Sequence, residues 1–146
     1  MLTVGDLMTR DVVTLQETDG LLNGDDLLKL HHVRHLPVVR AGKLVGLVSH
    51  RDLIRALGRH AASAPQPVAI SDIMTRGLET VTPEVPARDA IHKLLDGRFG
   101  CLPVVGRDDT LVGIITEADF MRLASRLLDA AESEGRAAPE AGVTVS

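Results

Sequence analysis

Short apolar runs alternate along this chain with longer stretches in which apolar side chains return every three or four positions, a pattern of strands alternating with helices. "DVVTL" (11–15) and "LETVT" (78–82) are rich in β-branched residues and predict short strands. Each is followed by a helical stretch whose start carries turn and cap residues, Thr18-Asp19-Gly20 and Pro83-Glu84. In the second of these helices Ala87, Ala90, Ile91, Leu94 and Leu95 recur at helical spacing and form one apolar face. The first is weaker, because Gly24 and Asp25 stand where Ala90 and Ile91 stand in the second, and a mid-helix glycine costs about 1 kcal/mol relative to alanine. "LPVV" and "LVGLVS" then predict two strands across the short turn Arg40-Ala41-Gly42-Lys43, and "LPVV" and "LVGIIT" do so across residues 106–110. Connections this short favour antiparallel hairpins. Helices follow at about 50–60 and 117–134.

The same order, β-α-β-β-α, thus occurs twice. Residues 4–39 align with 70–105 at an offset of 66, and residues 44–57 align with 111–124 at an offset of 67. The two alignments contain 15 identities in 50 pairs, where this composition would give roughly 3 by chance. The expected organisation is α+β: one repeat over 1–60, a linker over 61–69 that contains two prolines, a second repeat over 70–134, and a flexible tail over 135–146 without periodicity. The last helix is longer than its counterpart, and Leu123, Leu127, Leu128 and Ala131 extend an apolar stripe that suits a partner chain.

Composition narrows the function. The chain has 146 residues, 45% of them hydrophobic, enough for a real core. A formal net charge of −4 with scattered Lys and Arg gives no footprint for a nucleic-acid backbone. Two Phe and no Tyr or Trp leave almost no base-stacking platform. The single cysteine, Cys101, makes no intrachain disulfide, and no apolar run approaches the roughly 18–20 residues that span a bilayer. Without a charged-then-apolar export signal at its start, the chain is expected to be cytoplasmic, with no membrane association.

Chemistry concentrates in the spacing Ser49-x-x-Asp52 and Thr116-x-x-Asp119, each directly after an apolar strand. Such spacing is a capping box with Asp in the place usually held by Glu or Gln, and stabilises a helix by about 1 kcal/mol without any ligand. It is also a ligand geometry: unpaired backbone N–H groups and a partial positive charge at a helix start suit a phosphate, and an Asp one turn in accepts both hydrogen bonds of a ribose diol. Spacing alone leaves both readings open. "MTR" at 8–10 and 74–76 reads as the end of a short helix begun by Thr3-x-x-Asp6 or Ser71-Asp72, its methionines packing. In "HHVRH" (31–35), His31 and His35 stand four apart, a two-ligand metal spacing on a helix. The strand-forming "LPVV" that follows places His35 past the helix end, and no carboxylate or cysteine completes a ligand set. There is no nucleophile elbow, Walker loop or Cys-His arrangement, so no reaction is proposed and the chain reads as a non-enzyme.

A tandem of units about 60 residues long, each with "MT", then "LPVV", then Gly-apolar-apolar-Ser/Thr-x-x-Asp, resembles the cystathionine-β-synthase (CBS) domain pair, or Bateman module, over residues 3–125. The resemblance implies two repeats packed with pseudo-twofold symmetry, often paired again into a disc-like homodimer. It further implies a regulatory sensor that binds AMP, ADP, ATP or S-adenosylmethionine between the repeats, with no required cofactor and no metal. Nothing else is fused here, so the chain looks like a stand-alone module signalling to a separate regulated protein. By resemblance, Asp52 and Asp119 hold ribose hydroxyls, and Ser49 and Thr116 lie near ribose or phosphate. The adenine-contacting positions correspond to Val12, Val33, Arg34 and His35 in the first copy and to Leu78, Phe99, Gly100 and Cys101 in the second. The family often has a basic residue near the phosphate; the first copy offers His50 and Arg51 after its serine, the second Glu117 and Ala118. The rival reading is a structural or protein-interaction module whose Ser/Thr-x-x-Asp motifs are only caps.

Overall fold

The computed structural model describes residues 1–62, 68–97 and 99–137, with side chains for all of these except 60–62, 136 and 137. Most of the expected linker and of the expected tail therefore lies outside the described residues. The elements run α1 (Val4–Leu7), β1 (Leu15–Gln16), α2 (Leu21–His31), β2 (His35–Arg40), β3 (Lys43–Ser49), α3 (His50–Ala62), a 3-10 turn at Ile70–Asp72, α4 (Ala87–Gly97), β4 (Cys101–Val105), β5 (Leu111–Thr116) and α5 (Glu117–Ala137).

Both hairpins are antiparallel: β2 pairs with β3 from His35 against Ser49 to Arg40 against Lys43, and β4 pairs with β5 from Cys101 against Thr116 to Val105 against Leu111. The first hairpin closes through Ala41 (φ 51°) and Gly42 (φ 79°), both left-handed, the turn that follows strand twist. The expected opening strands shrink. Of the first only Leu15 pairs in parallel with β2, joined by Gln16 just beyond the expected end, and in the second a single bridge, Val81 to Val104, remains. α2 is continuous despite its glycine. Gly24 is buried, and a Cβ there would lie 3.1 Å from Leu53 Cδ1, so the missing side chain makes room for α3 rather than breaking the helix. On α4, Ala87, Ala90 and Leu94 are buried as expected, but Leu95 is exposed.

The units that fold together are not the units that repeat in sequence. Ile70 and Met74, from the start of the second repeat, pack in one core with Leu15, Leu28, Leu36, Val48 and Leu53 of the first. Val4 and Met8, from the start of the first, pack in the other core with Ala90, Leu94, Leu102 and Ile115 of the second. The two opening arms are exchanged. Backbone bridges fix the exchange in pseudo-twofold pairs: Thr9 with Ile114 and Thr75 with Leu47, Thr3 with Pro86 and Gly20 with Ala69. The bridge between Lys43 and Thr110 joins equivalent residues, which places the pseudo-axis between the hairpin turns. Each fully buried Leu, Ile or Val contributes about 1.5–3 kcal/mol, so the exchanged residues tie the halves together strongly.

The methionines of the "MT" motifs pack as expected, and each rests on a glycine of the opposite half. A Cβ on Gly113 would meet Met8 Sδ at 2.6 Å, and one on Gly46 would meet Met74 in the same way. Thr3 and Asp6 form a reciprocal capping box ahead of α1. In the second arm the Asp72 carboxylate instead accepts the N–H of Ala69 at 2.9 Å, two residues earlier than the expected start at Ser71.

Candidate functional site

Each hairpin delivers its last strand residue directly to a helix start, and there the Ser/Thr-x-x-Asp motifs lie. Ser49 Oγ accepts the Asp52 N–H at 3.1 Å while the Asp52 carboxylate accepts the Ser49 N–H at 2.9 Å, a complete capping box. At the other junction Asp119 Oδ2 accepts the Thr116 N–H at 2.8 Å and the Thr116 hydroxyl at 3.3 Å. The box is thus complete at Ser49, while at Thr116 its return half is formed, and each uses one carboxylate oxygen of its aspartate. The other oxygen differs. Asp119 Oδ1 accepts the Thr9 hydroxyl at 2.9 Å and Arg122 Nη2 at 2.6 Å, and the residue is 5% exposed. Asp52 is half-buried, and among the described residues only Ser49 donates to its carboxylate.

Antiparallel pairing brings the predicted site residues to these junctions: His35 lies opposite Ser49, and Cys101 opposite Thr116. The two junctions also meet each other. A Cβ on Gly100 would stand 2.6 Å from His35 Cε1 and Nε2, so the imidazole lies against the Gly100 backbone. Burial lowers the His35 pKa below the usual 6.5; the carboxylates of Asp52 and Glu117 oppose that shift and Arg34 reinforces it. Burial also pushes the Cys101 thiol up to about 12, so it is a packed hydrophobe rather than a nucleophile.

The remaining predicted contacts are scattered. The Arg34 carbonyl accepts the His50 N–H at 2.8 Å, while Val33 packs against the first core. Arg51 and Phe99 are exposed, and Val12 is half-buried with its N–H on the Arg10 carbonyl. Leu78 lines a small opening of about 180 Å³ with Leu44, Val45, Gly77, Thr80 and Asp109, toward the turn end of the hairpins and away from Ser49 and Thr116. Of the two equivalent positions, Val12 and Leu78, neither is joined to an aspartate by a hydrogen bond.

Residues that sequence reasoning missed complete the site. An open cleft of about 250 Å³ beside Asp52 is lined by Arg55, Ala56 and Arg59 of α3 and by Asp72 and Ile73 of the exchanged arm. It thus lies between α3 and the arm that the second repeat lends to the first core. Arg55 and Arg122 are identical across the two copies at an offset of 67, a signal in the sequence that marks both. Thr9 is likewise the repeated threonine of "MT". Among the described residues no three His, Cys, Asp or Glu side chains gather to hold a metal ion, and no helix is long and apolar enough to cross a membrane.

Two sequence-equivalent halves, each lending an arm to the other and each ending its hairpin at a carboxylate-bearing helix start, define a paired-repeat α+β module. The chain belongs to the CBS domain family, whose family model matches residues 4–59 and 70–126. Solved CBS pairs share the fold. An acetoin-utilization-type protein from Vibrio cholerae is 36% identical, with 91% of this chain and 97% of that one covered at a TM-score of 0.79. CBSX2, from Arabidopsis thaliana, in complex with AMP is 30% identical over 87% of this chain and 98% of that one, TM-score 0.76. The CBS domain pair of protein MJ0100, in complex with 5′-methylthioadenosine and S-adenosyl-L-methionine, is 28% identical over 86% and 97%, TM-score 0.76. The chain spans about a quarter of the length of several curated enzymes it matches, 24% of one and 25% of another.

Proposed function

We propose that this chain is a regulatory module that binds an adenosine-containing nucleotide between its two repeats. The observation that carries the reading is the Asp52 junction, where a half-buried carboxylate, capped through one oxygen only, opens beside a cleft with Arg55 and Arg59 on its wall. A ribose diol suits the carboxylate, and a phosphate suits the Arg55 guanidinium and the N-terminus of α3. Relatives with AMP, 5′-methylthioadenosine and S-adenosylmethionine bound support this ligand class. Signalling follows from the exchanged arms. The cleft joins α3 to the arm that the second repeat lends to the first core, so a nucleotide that binds one seating of that arm more tightly shifts the population toward it, and a regulated protein reads the change. No reaction is assigned to the chain.

A homodimer is part of the same proposal. Ile54 and Met121, equivalent residues on α3 and α5, are 55% and 70% exposed, and Leu127 and Leu128 continue an apolar surface along α5. Such a surface also favours the rival reading, an interaction module without a ligand. A dye-based thermal-melt panel with AMP, ADP, ATP and S-adenosylmethionine separates the two. A ligand at 100 times its dissociation constant adds about 2.7 kcal/mol, and hence several degrees at about 2–4 °C per kcal/mol. A selective shift is expected; unchanged melting with all four would leave only the interaction reading.

A further inference from the structure

The two junctions are equivalent in sequence and share one backbone frame, yet their carboxylates are held differently. Thr9 exchanges backbone hydrogen bonds with Ile114 at 2.8 and 3.0 Å, and Thr75 exchanges the same pair with Leu47 at 3.0 and 2.9 Å. The difference is therefore in the side chains. At the second junction Thr9 and Arg122 both donate to Asp119 Oδ1, and Thr116 occupies Oδ2 through its N–H and its hydroxyl. At the first, Thr75 is exposed and, among the described residues, does not bond Asp52, while Arg55 lines the cleft instead of pairing with the aspartate. A ribose diol can bind a carboxylate only by donating to its oxygens, and those of Asp119 are already taken.

We infer that Thr9 and Arg122 occupy the second junction as internal substitutes for a ligand, so that nucleotide enters at Asp52 first and reaches Asp119 only once Arg122 is displaced. The inference rests on the nucleotide reading above. The device is built to move. The Asp119 side chain is 4% exposed, but that of Arg122 is 63% exposed and can swing into solvent without disturbing the core. A phosphate offers the departing guanidinium a replacement anion, so the latch opens to a phosphorylated nucleotide more readily than to a cationic adenosyl compound. Thr9 ties the latch to the exchanged arm, and release at Asp119 frees a contact between the repeats.

Calorimetric titration of the full chain with AMP tests this. Wild type should take up AMP in two phases, a tight equivalent abolished by Asp52→Asn and a second at least about tenfold weaker, the penalty expected when a charged hydrogen bond must first be given up. Arg122→Ala, at an exposed position, should merge the phases into two equivalents of similar affinity, and Thr9→Val should narrow the gap by a smaller factor. Two equal equivalents in wild type, or an uptake unchanged by Arg122→Ala, would overturn the latch and leave the nucleotide reading standing. No uptake by either protein would overturn the nucleotide reading, and the latch with it.

Discussion

His35 begins β2 with its ring against the Gly100 backbone, where burial disfavours the imidazolium. Between the lowered folded pKa and the ordinary 6.5, the unfolded chain holds a proton that the folded chain does not. Stability therefore rises with pH across that window, and is lost as pH falls from 6.5 toward the folded value. The carboxylates of Asp52 and Glu117 limit the loss and Arg34 adds to it. Urea-unfolding midpoints measured between pH 7.5 and 5.5 should fall in wild type and fall less in His35→Gln. Equal slopes in the two proteins would place the proton uptake elsewhere. This residue was marked in the sequence as a position matching a ligand contact and as half of a His31/His35 metal spacing; its role at the meeting of the junctions depends on Gly100, 65 residues away, and no local pattern encodes that.

At the scale of elements, the glycines of the two hairpins decide how the arms dock. A Cβ on Gly113 would meet not only Met8 Sδ at 2.6 Å but the Thr9 carbonyl oxygen at 2.9 Å, and that carbonyl accepts the Ile114 N–H. The three atoms nearest a Cβ on Gly46 all belong to the Met74 side chain, whose outer part can turn aside. Gly113→Ala should therefore cost about 2–3 kcal/mol, and Gly46→Ala about 1 kcal/mol, in thermal or denaturant unfolding. The reverse order would mean that the arms are not held as described. Hairpins and helices were legible because period-two and helical patterns are local. The opening strands were not: β-branched composition suggested five residues each, but among those ten only Leu15 and Val81 have a pairing partner, with Gln16 added beyond the first. Gly24 was misleading for a related reason. Its value as room for Leu53 is tertiary, whereas helix propensity counts only its local cost.

For the whole molecule, internal repetition told most. Identities at offsets of 66 and 67 marked a tandem pair, its resemblance to CBS pairs implied pseudo-twofold packing, and the bridges join equivalent residues in reciprocal pairs. The arm exchange could not be read, because a repeat that lends its first residues to its twin has the same sequence as one that keeps them. Half of the site followed the same divide. Ser49, Asp52, Thr116 and Asp119 were visible as spacing, but Thr9 and Arg122 join Asp119 only through the exchange and the turn of α5. Function follows from this architecture: a ligand seated between α3 and the second repeat's arm touches the exchanged arm where it packs on the first core and can bias how that arm is seated. The most direct test is equilibrium dialysis of AMP against wild type and Asp52→Asn. The carboxylate assigned to the ribose should make the variant bind at least about tenfold more weakly, with its fold retained. Affinity unchanged by Asp52→Asn would contradict the assignment and reduce the Asp52 motif to a helix cap.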